Sequence, residues 1–115
     1  MAVEELGLVS GTLDLLVLRT LAWEPRHGFA IAKWIKSTSG DAILVEDRAL
    51  YLALHRLEER GLVESAWGLS ENNRRARFYQ LTREGRKQLE ARAEHWRRYA
   101  EAVFRILEAN DPRPA

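Results

Sequence analysis

The chain has 115 residues, a net charge of +1, and 46% hydrophobic and 30% charged residues, which fits one globular domain and excludes a disordered chain. Cysteine is absent, so disulfides, thiol catalysis and thiolate metal sites are excluded, in keeping with a reducing cytoplasm. No apolar run approaches the roughly 20 residues that span a bilayer, and Glu4 and Glu5 stand where a secretory signal carries basic residues, so we expect a cytoplasmic protein without membrane contact.

Two helices are predicted in the first part of the chain. The segment "SGTLDLLVLRTLAWEP" places apolar residues at helical spacing, with Ser10 or Thr12 as the expected N-cap and Pro25 as the stop. The segment "RHGFAIAKWIKSTSG" repeats this pattern and ends in loop-forming Ser, Thr and Gly. Its apolar positions are Phe29, Ile31, Ala32 and Ile35. Next, "DAILVE" at residues 41–46 is short, apolar and β-branched and predicts one brief strand.

The clearest helix of the chain is "DRALYLALHRLEERG", residues 47–61. Asp47 is its expected N-cap, and Gly61 stands where a helix C-cap belongs. One face carries an apolar stripe that consists of Leu50, Ala53, Leu54 and Leu57. This third helix is therefore amphipathic, with its stripe toward the core.

The segments "LVESAWGL" and "ARFYQLT" predict two strands, and "SENNRR" between them supplies the turn of an antiparallel hairpin. Alternation along the second strand puts Tyr79 and Leu81 on one face, which we expect to meet the core. Thr82 is the expected cap of a long final helix that runs to about Ala109.

This order of elements predicts a mainly α fold with a small β-hairpin. Three helices followed by a hairpin form a winged helix-turn-helix, a DNA-binding architecture. We expect this domain to span residues 1–82, a C-terminal dimerisation helix to span residues 83–110, and residues 111–115 to form a frayed tail.

The hairpin tip concentrates positive charge. Between residues 70 and 87, six basic residues stand against two acidic ones, Glu71 and Glu84. The basic residues are Arg74, Arg75, Arg77, Arg83, Arg86 and Lys87. Local charge determines attraction to a phosphate backbone, so the cluster favours DNA binding; a solvated surface loop is the alternative.

The third helix carries polar residues opposite its apolar stripe. Arg48, Tyr51 and His55 can donate to phosphates or base edges, and Arg56 flanks the same face. Leu52, also on this face, is either a scattered surface leucine or a contact for a thymine methyl group. The alternative for His55 is an ordinary surface position without a DNA contact. The alternative for Tyr51 is packing beneath the hairpin, the wing of the winged helix.

Several segments together resemble the PadR family of bacterial transcriptional regulators, in particular its short subgroup. They are "GTLDLLVLRTL", "HGFAIAKWI", "ALYLALHRLEERGLVESAWG" and "NNRRARFYQLTREGRKQL", which cover about Leu8 to Leu89. The resemblance implies a homodimeric winged-helix repressor that binds an inverted repeat in double-stranded DNA, with the third helix in the major groove and the wing along the backbone or minor groove.

Carried over by position, the resemblance implies DNA contacts at two places. Tyr51 and the residues just before it match the start of the family's DNA-contacting helix. The basic wing corresponds to Asn73, Arg74, Arg75 and Arg77. Where the family usually has Gly-Ser-Leu-Tyr-Pro, this chain has Arg-Ala-Leu-Tyr-Leu at residues 48–52, so Arg48 could replace the serine's phosphate contact and the relatives' operator preference does not transfer.

The final helix carries an apolar seam at alternating spacings of four and three residues, typical of a coiled-coil contact. The seam residues are Leu89, Ala93, Trp96, Ala100, Val103 and Leu107. We expect this seam to form a two-fold dimer interface; packing within the chain alone is the alternative. The resemblance further implies a planar aromatic effector between tryptophans at the interface, for which Trp96 is the candidate, and a plain interface anchor is the other interpretation of Trp96.

Enzyme function has little support in the sequence. His27, His55 and His95 are isolated, and no nucleophile elbow, phosphate-binding glycine loop or paired-carboxylate motif occurs. No cofactor or metal site is indicated. The competing hypothesis is a winged-helix module for protein interaction without sequence-specific DNA binding, which the altered helix start and the nearby acids Glu58, Glu59 and Glu64 favour.

Overall fold

The computed structural model describes residues 6–9 and 11–111, and over these residues the chain forms four helices and three strands. In chain order they are α1 (Thr12–Thr20), β1 (Arg26–His27), α2 (Gly28–Thr38), α3 (Asp47–Glu59), β2 (Val63–Leu69), β3 (Arg75–Leu81) and α4 (Arg83–Glu108). Glu4, Glu5, the expected N-cap Ser10 and residues 112–115 of the expected tail lie outside the described residues.

The core lies where α1, α2 and α3 meet, with the base of the sheet and the start of α4 closing it. Its fully enclosed side chains include Val17 and Leu18 from α1, Ile31 from α2 and Leu57 from α3. The predicted stripe of α3 is buried throughout. Burial of this kind stabilises the fold by about 1.5–3 kcal/mol for each large aliphatic side chain, so the three helices form one packed unit.

The sheet has three antiparallel strands in the order β1-β3-β2. The hairpin was predicted, whereas β1 was not, because a two-residue strand has no periodicity to detect. Tyr79 and Leu81 pack against the core as expected. The hairpin tip is a three-residue loop closed by the Ser70 N–H donating to the Arg74 carbonyl at 2.8 Å, and Asn73 takes the left-handed conformation, φ +58°, that such loops require.

Three local expectations were wrong. Thr12 is the first residue of α1, and its hydroxyl donates to the Val9 carbonyl at 2.6 Å instead of capping helix N–H groups. Asp47 likewise begins α3 and follows Glu46, which makes no side-chain cap bond. Residues 41–46 form no strand. Ile43 and Val45 nevertheless pack on the core, so burial explains these two apolar residues, whereas Leu44 between them is exposed.

The start of α4 is locked onto the end of α3 and the base of β2. Thr82 caps α4 as predicted, because its Oγ1 accepts from the Gly85 N–H at 3.0 Å. The same hydroxyl donates to the Gly61 carbonyl at 2.6 Å, and Gly61 has the left-handed backbone, φ +73°, expected after the C-cap. Leu89 is buried, whereas Leu107 is 72% exposed, so the far half of α4 extends beyond the body of a molecule that measures 68 × 38 × 22 Å.

Candidate nucleic-acid interface

The face of α3 opposite the core is solvent-exposed and carries the residues predicted to meet DNA. Arg48, Tyr51, Leu52 and His55 are all exposed. The Tyr51 ring is 63% exposed and stacks on the His55 ring at 6.2 Å between centroids. Tyr51 is therefore not buried beneath the wing, and the two rings form one aromatic edge on the helix. The His55 Nε2 lies 3.0 Å from a Glu59 carboxylate oxygen one turn further along.

Arg56 faces a different neighbour from the rest of this set. Its Nη2 donates to Asp14 Oδ1 of α1 at 2.8 Å. This hydrogen bond, and next the Asp14 charge, raise the pKa of the Arg56 guanidinium above its ordinary value. The pair joins α3 to α1. A DNA contact by Arg56 stays a prediction, and it would compete with this ion pair.

The wing comprises β2, β3 and their connecting loop, and Asn73, Arg74, Arg75 and Arg77 are exposed on it. The Arg75 guanidinium lies over the Trp67 ring, 4.5 Å from its centroid, and the Arg77 guanidinium is 5.7 Å from the same centroid. Cation–π stacking of this kind holds a guanidinium in place while its N–H groups remain available for hydrogen bonds. The sequence interpretation missed Trp67, because only the strand register, which pairs Trp67 with Arg77, puts it on the same face as the arginine side chains.

The glycine after Trp67 has a packing role. An added Cβ at Gly68 would come within 3.0 Å of the Phe78 ring, so this ring covers the Gly68 backbone across the strand pair. The Phe78 ring also meets the His27 ring edge-on, at 5.2 Å between ring centroids. His27 also caps α2, because its Nδ1 accepts from the Ala30 N–H at 3.2 Å. The sheet and α2 are thereby joined through one aromatic contact.

A concave surface separates α3 from the wing. It encloses a cavity of about 590 Å³ whose lining includes Tyr51, Trp67, Arg75, Arg77 and Tyr79. Burial raises the pKa of the Tyr79 phenol above its ordinary value, with Arg77 opposing the shift and Glu58 and Tyr51 adding to it. Tyr51 of the exposed helix face and Arg75 and Arg77 of the wing thus border the same crevice.

A second crevice extends this surface toward α2. Its volume is about 420 Å³, and its lining includes Phe29, Lys33, Arg74 and Arg75. Phe29 was expected on the apolar face of α2 but is 76% exposed, because it lies on the side of the first turn that faces the wing. Lys33 adds a cation that the sequence interpretation did not assign to the interface.

The predicted dimer seam runs along α4 from the body into solvent. Leu89 is buried, Ala93, Ala100 and Val103 are partly exposed, and Trp96 and Leu107 are exposed. The Trp96 and Tyr99 rings lie 5.9 Å apart between centroids. Together with Leu15 and His95 they border a cavity of about 540 Å³ between α1 and α4.

Within residues 6–9 and 11–111, no group of three or more His, Cys, Asp or Glu side chains could hold a metal ion. None of the helices in the same part of the chain is both long and apolar enough to cross a membrane.

Three packed helices followed by a β-hairpin, with the third helix exposed beside that hairpin, define a winged helix-turn-helix protein, and the predicted fold class is confirmed. Residues 17–91 match the model of the transcriptional regulator PadR-like family. The chain belongs to this family, as its motifs indicated. Regulators of this family bind DNA and commonly dimerise.

Solved structures agree with this assignment. A PadR family transcriptional regulator from Eggerthella lenta is 34% identical, with 87% of this chain and 85% of that chain covered and a TM-score of 0.72. A PadR family transcription regulator from Clostridium difficile is 29% identical, with coverages of 84% and 99% and a TM-score of 0.74. A transcriptional regulator from Clostridium thermocellum is 26% identical, with coverages of 85% and 95% and a TM-score of 0.77.

Proposed function

We propose that this protein is a dimeric transcriptional repressor that binds an inverted-repeat operator in double-stranded DNA. The observation that carries the proposal is the shared crevice: Tyr51 on the exposed face of α3 and Arg75 and Arg77 of the wing border one concave surface. A helix in the major groove and a wing on the adjacent backbone require this arrangement. Residues 1–82 would form the DNA-binding domain, residues 83–110 the dimerisation helix and residues 111–115 a tail.

The proposal gives each side chain of the interface a physical task. Arg48 lies in the first turn of α3, where a cation and the helix N-terminus both attract a phosphate. Tyr51 and His55 offer donors to base edges, and Leu52 offers an apolar contact to a thymine methyl group. On the wing, Asn73, Arg74, Arg75 and Arg77 form a basic edge, and of these Asn73, Arg74 and Arg75 are the proposed contacts to the sugar–phosphate backbone. Arg56 is better assigned to its ion pair with Asp14 than to DNA.

The dimer follows from the exposed end of α4. Phe104, Ile106 and Leu107 are 59%, 76% and 72% exposed, and large apolar side chains exposed at the end of a projecting helix mark an interaction surface. A second copy that covers this surface through an isologous contact would place two α3 helices about 34–36 Å apart, one turn of DNA.

Release from DNA by a small planar aromatic effector is a finer part of the proposal. Trp96 and Tyr99 border the cavity of about 540 Å³ beside α1, and an apolar cavity of this size fits the usual range for small-molecule sites. Trp96 as a plain dimer anchor remains the competing role. The protein itself is proposed to act in the cytoplasm without a cofactor and not as an enzyme.

A second candidate function is protein interaction through the winged helix without sequence-specific DNA binding. The acidic residues Glu58 and Glu59 on α3 favour it, because carboxylates beside the crevice repel phosphate. Arginine density on the wing favours the DNA-binding role, since docking a protein does not require it.

Footprinting of the purified protein on the DNA upstream of its own gene, at two salt concentrations, tests the proposed function. We expect two protected half-sites one helical turn apart and an affinity that falls steeply with salt, with a log–log slope near −0.9 for each phosphate contact. The Arg75→Ala variant should bind all duplexes more weakly and lose about one unit of this slope. No binding at either salt concentration would favour the protein-interaction function.

A further inference from the structure

The wing arginines differ in what their side chains contact. Arg77 points back toward α3: its Nε donates to Ser65 Oγ at 2.8 Å, and its Nη2 lies 3.5 Å from Glu58 Oε2. The same Glu58 oxygen accepts from the Ser65 hydroxyl at 2.5 Å. One side chain each from α3, β2 and β3 therefore forms a closed ring of charge-assisted contacts.

We propose that Arg77 is a positioning residue that, with Ser65 and Glu58, fixes the wing against the recognition helix α3, and that it is not a phosphate contact. This inference rests on the proposed function, because it divides the wing arginines between holding the wing and binding DNA. It also assigns a purpose to Glu58, an acidic side chain that would otherwise repel phosphate beside the crevice.

The wing needs such an anchor because the third strand, β1, supports only a short part of the hairpin. β1 supports β3 only opposite Tyr79 and Phe78, and beyond Phe78 the hairpin is two-stranded, with Trp67 opposite Arg77 and Leu69 opposite Arg75. An isolated two-stranded hairpin is marginally stable in water. The ring ties the first pair beyond β1, at Arg77, to the last turn of α3, so it fixes the angle at which the hairpin leaves the body.

Arg77 cannot hold the ring and a phosphate with the same donors. Its Nε is used by Ser65, and Nη2 faces the carboxylate. Moving the guanidinium to DNA would leave the Glu58 charge uncompensated next to a phosphate chain. Arg75 has no such commitment to a carboxylate among the described residues; its guanidinium is stacked on Trp67, a contact that leaves the in-plane N–H donors for phosphate. Arg75 is therefore the phosphate contact, and the ring of Arg77, Ser65 and Glu58 fixes the position of the wing that carries Arg75.

The decisive variant is Arg77→Lys. Lysine keeps the positive charge and can bind phosphate as a point charge, but it cannot reproduce the planar, two-directional contact to Ser65 and Glu58. Loss of the ring should weaken operator binding about tenfold, the effect of losing one charge-assisted hydrogen bond, with the salt slope unchanged. Binding at the wild-type level, or a slope reduced by about 0.9 in Arg77→Ala, would show that Arg77 is a phosphate contact and would overturn the proposal.

Glu58→Gln tests the same ring by removing its carboxylate charge. Removal of a negative charge near DNA should on electrostatic grounds alone strengthen binding, whereas loss of the ring should weaken it, by roughly three- to tenfold. Glu59→Gln is the matched control, since it removes the same charge from the next position of α3, outside the ring, and the glutamine oxygen can still accept from His55 Nε2; its affinity should be unchanged or slightly raised. Tighter binding by Glu58→Gln would overturn the proposal.

A measurement without DNA separates this inference from the proposed function. Backbone amide relaxation by NMR in the free protein should show increased picosecond–nanosecond motion across residues 67–77 in Arg77→Lys, Glu58→Gln and Ser65→Ala, and not in Glu59→Gln. Wild-type order in the three ring variants would overturn the proposal, whatever the protein binds. If the wild-type protein itself fails to bind DNA, the proposed function fails and the relaxation data alone decide whether the ring holds the wing.

Discussion

Gly85 in the first turn of α4 offers a sharp test of how the wing base and the C-terminal helix are joined. A Cβ at this position would lie 1.9 Å from the Leu62 carbonyl oxygen and 2.9 Å from its carbon. Both atoms belong to backbone, so no side-chain rotation can relieve the contact. Gly85→Ala therefore forces α4 away from β2.

The size of the effect follows from what that movement breaks. The Thr82 N–H donates to the same Leu62 carbonyl at 3.1 Å, and the Thr82 hydroxyl donates to Gly61 at 2.6 Å. Overpacking costs about 1–3 kcal/mol, and each weakened hydrogen bond adds about 0.5–1.5 kcal/mol. The better helix propensity of alanine offsets at most about 1 kcal/mol of this loss. We therefore expect the free energy of unfolding to fall by roughly 2–4 kcal/mol.

Urea or thermal unfolding at one fixed protein concentration measures this loss, because the proposed dimer would make the midpoint depend on concentration. Gly28→Ala is the matched control: its Cβ would meet only Leu50 Cδ2, at 3.9 Å, and the stability should change by less than about 1 kcal/mol. If Gly85→Ala lowers the free energy of unfolding no more than Gly28→Ala does, the close packing of α4 on Leu62 does not limit the residue at position 85.

Three further substitutions test the interface and the dimer. Tyr51→Ala should reduce discrimination between operator and random duplex by about 1–3 kcal/mol while non-specific affinity changes less; equal losses in parallel titrations would make Tyr51 a backbone contact. Leu107→Glu should yield monomers in sedimentation and weaken binding to a two-half-site operator, and a dimer that persists would place the interface elsewhere. Arg56→Ala should leave the salt slope of DNA binding unchanged, because Asp14 holds the Arg56 guanidinium. A slope reduced by about 0.9 would show that Arg56 contacts a phosphate.

The sequence predicted the helices, the hairpin and the exposed face of α3, because each leaves a periodic pattern in the residues concerned. It could not predict β1, whose residues Arg26 and His27 pair with β3 only after the chain has folded back. It identified the arginine cluster but not the different surroundings of its members. Trp67 beside Arg75, and Glu58 beside Arg77, are brought together by strand register and by the packing of α3, and neither contact has a signature in local composition.

The intramolecular contacts divide the five arginines of α3 and the wing into two groups. Arg56 and Arg77 lie against the carboxylates of Asp14 and Glu58, and each pair joins α3 to a neighbouring element, α1 on one side and the wing on the other. Among the residues that the structure describes, Arg48, Arg74 and Arg75 have no carboxylate partner within ion-pair distance. Because exposed, uncompensated cations carry the attraction to phosphate, Asp14 and Glu58, which are paired with arginines, do not argue against DNA binding. In the proposed arrangement Glu58 holds the wing against α3 and Asp14 holds α1 against α3. The guanidinium groups of Arg48 in the first turn of α3 and of Arg74 and Arg75 at the wing tip then face a duplex seated on this crevice.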